Sequence, residues 1–191
     1  MGCHLVHGES VRVLSIMLLA AALLALPGGA STVDPEALVA QRADIGVGYR
    51  LDAADSGHLA ERGGERSDPT MARIAARNGR IDGYVAVYDD ARGRRVISRA
   101  DLYGRQKGAK NVLGIADLGM RKTGIKGLRR SPVAIASGGW IYWGGSGESA
   151  LAVVAWRHGR VFASITTSGL ARGTTLRLAM KQDRRIAAVV R

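Results

Sequence analysis

Apolar residues fill both faces of residues 149–167, SALAVVAWRHGRVFASITT, on either side of His158-Gly159. A two-residue loop ending in glycine between β-prone arms predicts a hairpin, because Gly159 accepts positive φ without a Cβ clash. With that loop, Trp156 faces Val161, Val154 faces Ala163 and Ala152 faces Ile165 on one side of the ladder. Leu151, Val153, Ala155, Phe162, Ser164 and Thr166 take the other side. A first arm that is apolar on both faces predicts a central strand with cover above and below. Full burial of the large side chains of both arms (Leu151, Val153, Val154, Trp156, Val161, Phe162 and Ile165) would contribute on the order of 10–20 kcal/mol as an upper bound. Trp156 and Gly159 are accordingly structural residues.

The same patterns predict the remaining elements. Pro35, with Leu38 and Val39 behind it, predicts a short helix over residues 34–41, and residues 45–51 form a strand around Gly46 and Gly48. The polar, glycine-bearing residues 52–68 predict an exposed loop. A helix follows over residues 69–78, with Asp68 as its N-cap and Asn78-Gly79 as its stop. Residues 81–88 alternate, with Ile81, Val85 and Val87 opposite Tyr84, Ala86 and Tyr88. A turn over residues 89–93 leads to a returning strand over residues 95–103. Residues 110–120 have helical spacing at Val112, Leu113, Ala116 and Met120, weakened by Gly114 and Gly119 at ~1 kcal/mol each. In SGGWIYWGG, Trp140 and Tyr142 share one strand face, Ile141 and Trp143 the other. Residues 173–190 predict a closing helix with Leu176, Ala179, Met180, Ile186, Ala187 and Val190 on its dry arc and Arg177, Lys181, Arg184 and Arg185 on a basic one. Asp183 falls inside the dry arc. It is predicted to be a structural carboxylate paired with an arginine or with backbone N–H groups, since an unpaired buried charge is too costly to persist. The fold class is α+β: an antiparallel sheet of about five to six strands, helices on both faces, and a C-terminal helix closing it.

Residues 13–26, VLSIMLLAAALLAL, are apolar but for Ser15, follow Arg12 and precede Pro27-Gly28-Gly29-Ala30. A basic flank, a short apolar core and small residues before a polar start predict a secretory signal peptide cleaved after Ala30. The run is shorter than the roughly 20 residues of a membrane span, so no transmembrane span is expected after cleavage. Residues 1–30 are then the leader and 31–191 a single domain, secreted to the envelope or beyond. His4, His7 and Glu9 fit a leader poorly, and a start at Val11 read from GTG fits equally well beside Met1. Cys3 is the only cysteine and precedes the apolar run, so the mature chain has neither disulfide nor thiolate nucleophile.

Charge changes the picture more than composition does. The formal net charge is +12. It is uneven: residues 31–70 carry eight acids and four bases, while residues 92–130 carry twelve bases against Asp101 and Asp117. Arginine outnumbers lysine 23 to 5 in an alanine- and glycine-rich chain, as a high-GC genome imposes. That bias enriches arginine everywhere and leaves the asymmetry unexplained. The block therefore predicts an anion-binding surface of Arg94, Arg95, Lys107, Lys110, Arg121, Lys122, Arg129 and Arg130, facing an anionic cell-surface polymer or membrane surface. Nucleic acid would bind by the same electrostatics without being a specific ligand.

Catalytic signatures are sparse. No nucleophile elbow, P-loop, zinc-binding histidine pair or EF-hand loop occurs, and no cofactor is predicted. His58, Glu61 and Glu65 stand at helical spacing, but Gly57, Gly63 and Gly64 oppose a helix there, so no metal site is assigned. The aromatics of SGGWIYWGG are either core anchors or a stacking platform for sugar rings or bases. Two function classes remain: a non-catalytic binding module, and a serine-type hydrolase using Ser146 or Ser149 with His158. The serine reading is the weaker, since Gly144-Gly145-Ser146-Gly147 runs into Glu148 and breaks the hydrolase turn pattern.

Gly79-Arg80-Ile81-Asp82-Gly83-Tyr84, Val154-Ala155-Trp156-Arg157-His158-Gly159-Arg160-Val161 and Lys181-Gln182-Asp183-Arg184-Arg185-Ile186 resemble segments of small secreted actinobacterial proteins of unknown function with a PsbP-like fold. The resemblance implies an antiparallel sheet with helices on both faces and an accessory or binding role rather than catalysis. The leader pattern predicts that protein secreted by its native host begins at Ser31. Intact mass checks this, and a product retaining residues 17–26 would overturn the secreted assignment.

Overall fold

A computed structural model of the chain describes residues 33–59 and 69–190; the predicted leader and the proposed N-cap Asp68 lie outside them. Eight antiparallel strands form one open sheet. They are β1 (Tyr49–Leu51), β2 (Gly57–His58), β3 (Arg80–Asp90), β4 (Arg95–Tyr103), β5 (Arg129–Val133), β6 (Gly139–Gly144), β7 (Leu151–His158) and β8 (Val161–Ser168). The order is β1-β3-β4-β8-β7-β6-β5, with β2 beside β1 on the outer edge of β3. Four α-helices accompany it: α1 (Arg42–Ile45), α2 (Pro69–Arg77), α3 (Gln106–Lys122) and α4 (Arg172–Val189). The sheet exceeds the predicted five to six strands by β2 and β5, whose two and five residues carry no readable alternation.

The β7–β8 hairpin is central, as its two-sided apolar pattern requires. Its loop is Gly159-Arg160 rather than His158-Gly159, and Trp156 pairs with Ala163, Val154 with Ile165 and His158 with Val161. The register is displaced by two residues, so every side chain keeps its predicted face. Gly159 takes φ +55 at the first loop position, as a II′ turn demands.

One sheet face packs against α4 and the N-terminal segment. Asp34 caps the 3₁₀ turn Pro35–Leu38 by accepting from the Glu36 N–H at 2.9 Å, and the turn delivers Leu38, Val39 and Ala40 into the core with no exposure. There they meet Tyr88, Val96, Val154, Trp156, Ile165, Leu178, Ala179 and Ile186. The opposite face is covered near the start of α3 by Ala109 and Val112, which pack on Tyr103, Ala155 and Phe162 with Ile74 of α2 alongside. The predicted strand over residues 45–51 begins as α1 and becomes β1 only at Tyr49, and the predicted loop over residues 52–68 contains β2.

The closing helix is rotated from its predicted setting. Thr175, Leu178, Ala179, Gln182 and Ile186 form its buried face, whereas Met180 is 46% exposed. The reason is Gln182. Its side chain is fully buried, accepting from Ser98 Oγ at 2.9 Å and donating to the Arg99 carbonyl at 3.0 Å. Ser98 Oγ in turn accepts from the Ala40 N–H at 2.8 Å. A polarity pattern places glutamine outward, but a buried amide with both ends paired costs little. On the adjoining flank, Lys181 donates to the Asp44 carbonyl and Arg185 pairs with the Asp44 carboxylate at 2.8 Å, clamping α1. Burial opposes ionisation of Asp44, yet the Gln41 N–H and Arg185 hold its carboxyl below the ordinary value.

Gln182→Ala should destabilise the protein by about 2–4 kcal/mol, because it removes packing and leaves Ser98 and the Arg99 carbonyl without their partners. Chemical denaturation measures this. A loss under about 0.5 kcal/mol would mean that water replaces the amide.

Candidate functional site

The hairpin turn, the β4–α3 connection, the β5–β6 turn and the end of α4 converge on a cleft of about 640 Å³. Gly104, Arg105 and Gln106 form one wall, Ala136 and Ser137 another, and His158, Gly159, Arg160 and Val190 the rest. His158 is the best-defined side chain there. Its Nδ1 lies 2.9 Å from Asp183 Oδ1, and the same oxygen accepts from the Trp156 indole N–H at 3.0 Å. The predicted structural carboxylate is thus in place with different partners: an imidazole and an indole rather than an arginine. Since α4 turns on Gln182, Asp183 sits at the rim of the core, with its side chain 18% exposed and that of His158 25% exposed. Asp183 orients the ring, leaving Nε2 as its other polar atom. Ala136 has φ +45, the only positive φ outside glycine among the described residues, and this bend leads directly into Ser137. The Ser137 N–H donates to the Arg157 carbonyl at 3.0 Å, tying that wall to the strand carrying His158.

The hydrolase pairing does not assemble. Ser146 and Ser149 precede β7 whereas His158 ends it, so the strand separates them by roughly 25–30 Å. Among the described residues no serine hydroxyl hydrogen-bonds His158.

The eight basic residues are distributed in space. Arg94 and Arg95 lie at the β3–β4 turn, the length of β4 away from α3, and both are engaged. Arg94 pairs with Asp90, and Arg95 with Asp89, Asp52 and Asp55. Arg130 is held bidentately by Asp117 of α3 at 2.7 and 3.0 Å, its guanidinium 3.2 Å from the Trp140 ring centroid. The Tyr142 hydroxyl also donates to Asp117. Burial, reinforced by that bond, pushes the Tyr142 phenol up to about 12. Burial opposes the charge on Asp117, but Tyr142 and Arg130 keep its carboxyl below the ordinary value. Trp143, on the other face of β6, carries Arg172 at 3.9 Å from its ring. Of the aromatics read as either core anchors or a stacking platform, both tryptophans of β6 therefore carry a guanidinium of the chain's own.

Lys107, Lys110, Arg121 and Lys122 are exposed on α3. At 100° per residue they fall within one outward stripe about 22 Å long, opposite the buried Ala109 and Val112. None of the four is ion-paired among the described residues; Arg129, exposed on the edge strand, pairs in register with Trp143 on the sheet face opposite Arg130 and α3. His58 lies in β2, 3.2 Å from Asp82, while Glu61 and Glu65 lie outside the described residues. Among the described residues no group of three His, Cys, Asp or Glu side chains is placed to hold a metal.

Arg105, Ser137 and Arg160 have no signal in the sequence, because their proximity depends on three loops meeting. No family model matches the chain, and no curated protein matches it. Among solved structures, the extracellular domain of PknH from Mycobacterium tuberculosis is similar in fold: TM-score 0.51 at 12% identity, over 83% of this chain and all of that one. At that identity the likeness concerns fold alone.

Asp183→Ala should destabilise the domain by about 1–3 kcal/mol through loss of two partly buried hydrogen bonds. Urea unfolding, with Asp183→Asn as the milder comparison, measures this. No change in midpoint for either variant would mean the bonds at this rim are solvated.

Proposed function

We propose that the chain is an extracellular or envelope module that binds a linear anionic polymer through the outward face of α3, without catalysis. The observation that carries this reading is the row Lys107, Lys110, Arg121 and Lys122: four exposed cations along one helix, with no carboxylate paired to them among the described residues. Elsewhere in the block, Arg94, Arg95, Arg99 and Arg130 are met by carboxylates. Asp52 and Asp55 from the acidic opening segment reach Arg95, and Asp117 takes Arg130. The charge asymmetry of the sequence thus resolves into a compensated β3–β4 turn and an uncompensated helix face. A straight array of fixed charges matches a repeating polyanion and releases its counterions on contact. Leu118 is the one large apolar side chain exposed on α3, which is too little to enter a lipid surface.

Export supports the same reading. The leader pattern places the domain outside the cell, and the fold it shares with the PknH extracellular domain is one used in that setting. No α-helix among the described residues is long and apolar enough to cross a membrane.

Retention on a sulfated polysaccharide column across a salt gradient tests the proposal. Replacing Lys107, Lys110, Arg121 and Lys122 with serine should reduce the log–log salt dependence of binding by roughly 3–4. Replacing Arg94 and Arg95 should leave elution near that of the wild type. Equal loss from both variants would reduce the effect to net charge and remove the assignment to α3.

A further inference from the structure

We infer that the cleft at the hairpin tip binds a phosphate monoester between Arg105 and Arg160, with the His158 imidazole, the Ser137 hydroxyl and the Gln106 amide as additional donors. The site is separate from the outward stripe of α3 and stands or falls independently of it. Among the described residues its lining contains two guanidinium groups, an imidazole, a hydroxyl and an amide, and no carboxylate. Neither Arg105 nor Arg160 is ion-paired among the described residues.

The site is built rather than incidental. Asp183, which also accepts from the Trp156 indole, fixes the His158 ring from behind without itself lining the cleft. The strained backbone at Ala136, which costs roughly 1–2 kcal/mol for a residue with a Cβ, holds Ser137 on the opposite wall. Strain and orientation fixed in advance reduce the ordering cost of binding.

The donors select the ligand class. Two guanidiniums from different walls, one of them beside an imidazole on the hairpin wall, offer more N–H groups than the two oxygens of a carboxylate engage, whereas a phosphate monoester presents three terminal oxygens and close to two charges. The volume, about 640 Å³, fits a small molecule and exceeds the needs of a bare ion, leaving room for the esterified group.

Titration of the isotopically labelled full domain with glycerol 3-phosphate tests this, reading the His158 ring and the Gln106, Ser137 and Arg160 amides by NMR. The expected result is saturable shifts at these positions. Arg105→Ser and Arg160→Ser should each weaken the affinity about tenfold, as loss of a charge-assisted hydrogen bond entails. Both residues lie in surface turns, and an unchanged unfolding midpoint verifies that the variants are folded. The four-serine α3 variant should bind glycerol 3-phosphate as the wild type does, which separates this site from the polymer surface. A second arm uses phosphatidylcholine vesicles with and without phosphatidic acid. Binding confined to phosphatidic acid, and lost in the arginine variants, places the monoester on a lipid. Saturation by the soluble ester places it on a free metabolite. Equal affinity for glycerate would overturn the phosphate assignment, and no saturable shift with either probe, or shifts that persist in the double arginine variant, would overturn the site.

Discussion

The hydrogen-bond relay from Ala40 through Ser98 to Gln182 sets the geometry of the rest of the molecule. Ser98 faces the core from the middle of β4, where an unpaired hydroxyl would cost a few kcal/mol, and it is satisfied only when Gln182 points directly at it. That demand fixes the rotation of α4 about its axis. With Gln182 inward, Asp183 comes to the rim beside Trp156 and His158, while Lys181 and Arg185 meet α1 on the other flank. The cleft at the hairpin tip and the packing of the N-terminal segment are both set by one buried amide.

A second level of organisation is electrostatic. Buried Asp101 stands between Arg80 and Arg99, the Arg94 and Arg95 guanidiniums are met by carboxylates around the β3–β4 turn, and Asp117 gathers Arg130 and Tyr142. Apart from Arg99–Asp101 within β4, these pairings join segments distant in sequence or secure a turn. Among the described cations without a carboxylate partner are the α3 row and, at the cleft where that helix begins, Arg105 and Arg160. Net charge of either sign says little about this arrangement, which depends on where the acids are used up.

Much of the architecture was legible from side-chain periodicity. The β7–β8 hairpin, β3, β4, α2 and α4 follow from alternation or helical spacing, and face assignments survived a two-residue error in the hairpin loop because side chains repeat every two positions. The failures have physical causes. Gln182 was missing from the predicted dry arc, since a pattern cannot represent an amide whose partners are Ser98 and the Arg99 carbonyl. His158 showed no orienting partner because Asp183 lies 25 residues away and approaches only after α4 folds back on the sheet. Arg94 and Arg95 looked available in the sequence, although Asp52 and Asp55 come from another part of the chain. Ser137, Arg105 and Arg160 meet through three separate turns, and no one-dimensional spacing encodes such a meeting.

The two borders of the sheet bear on how the protein behaves in a crowd. On one side β5 reads Arg-Arg-Ser-Pro-Val, where Pro132 lacks an N–H and Arg129 and Arg130 bring charge. On the other, β1 and β2 break the outer margin of β3 into pieces of three and two residues. Neither margin offers a second molecule a long ladder of free backbone groups. An open sheet of this width would otherwise invite strand exchange between copies and growth into fibres. Interrupting one margin and charging the other lets the domain keep an uncovered border without presenting a template for a second copy.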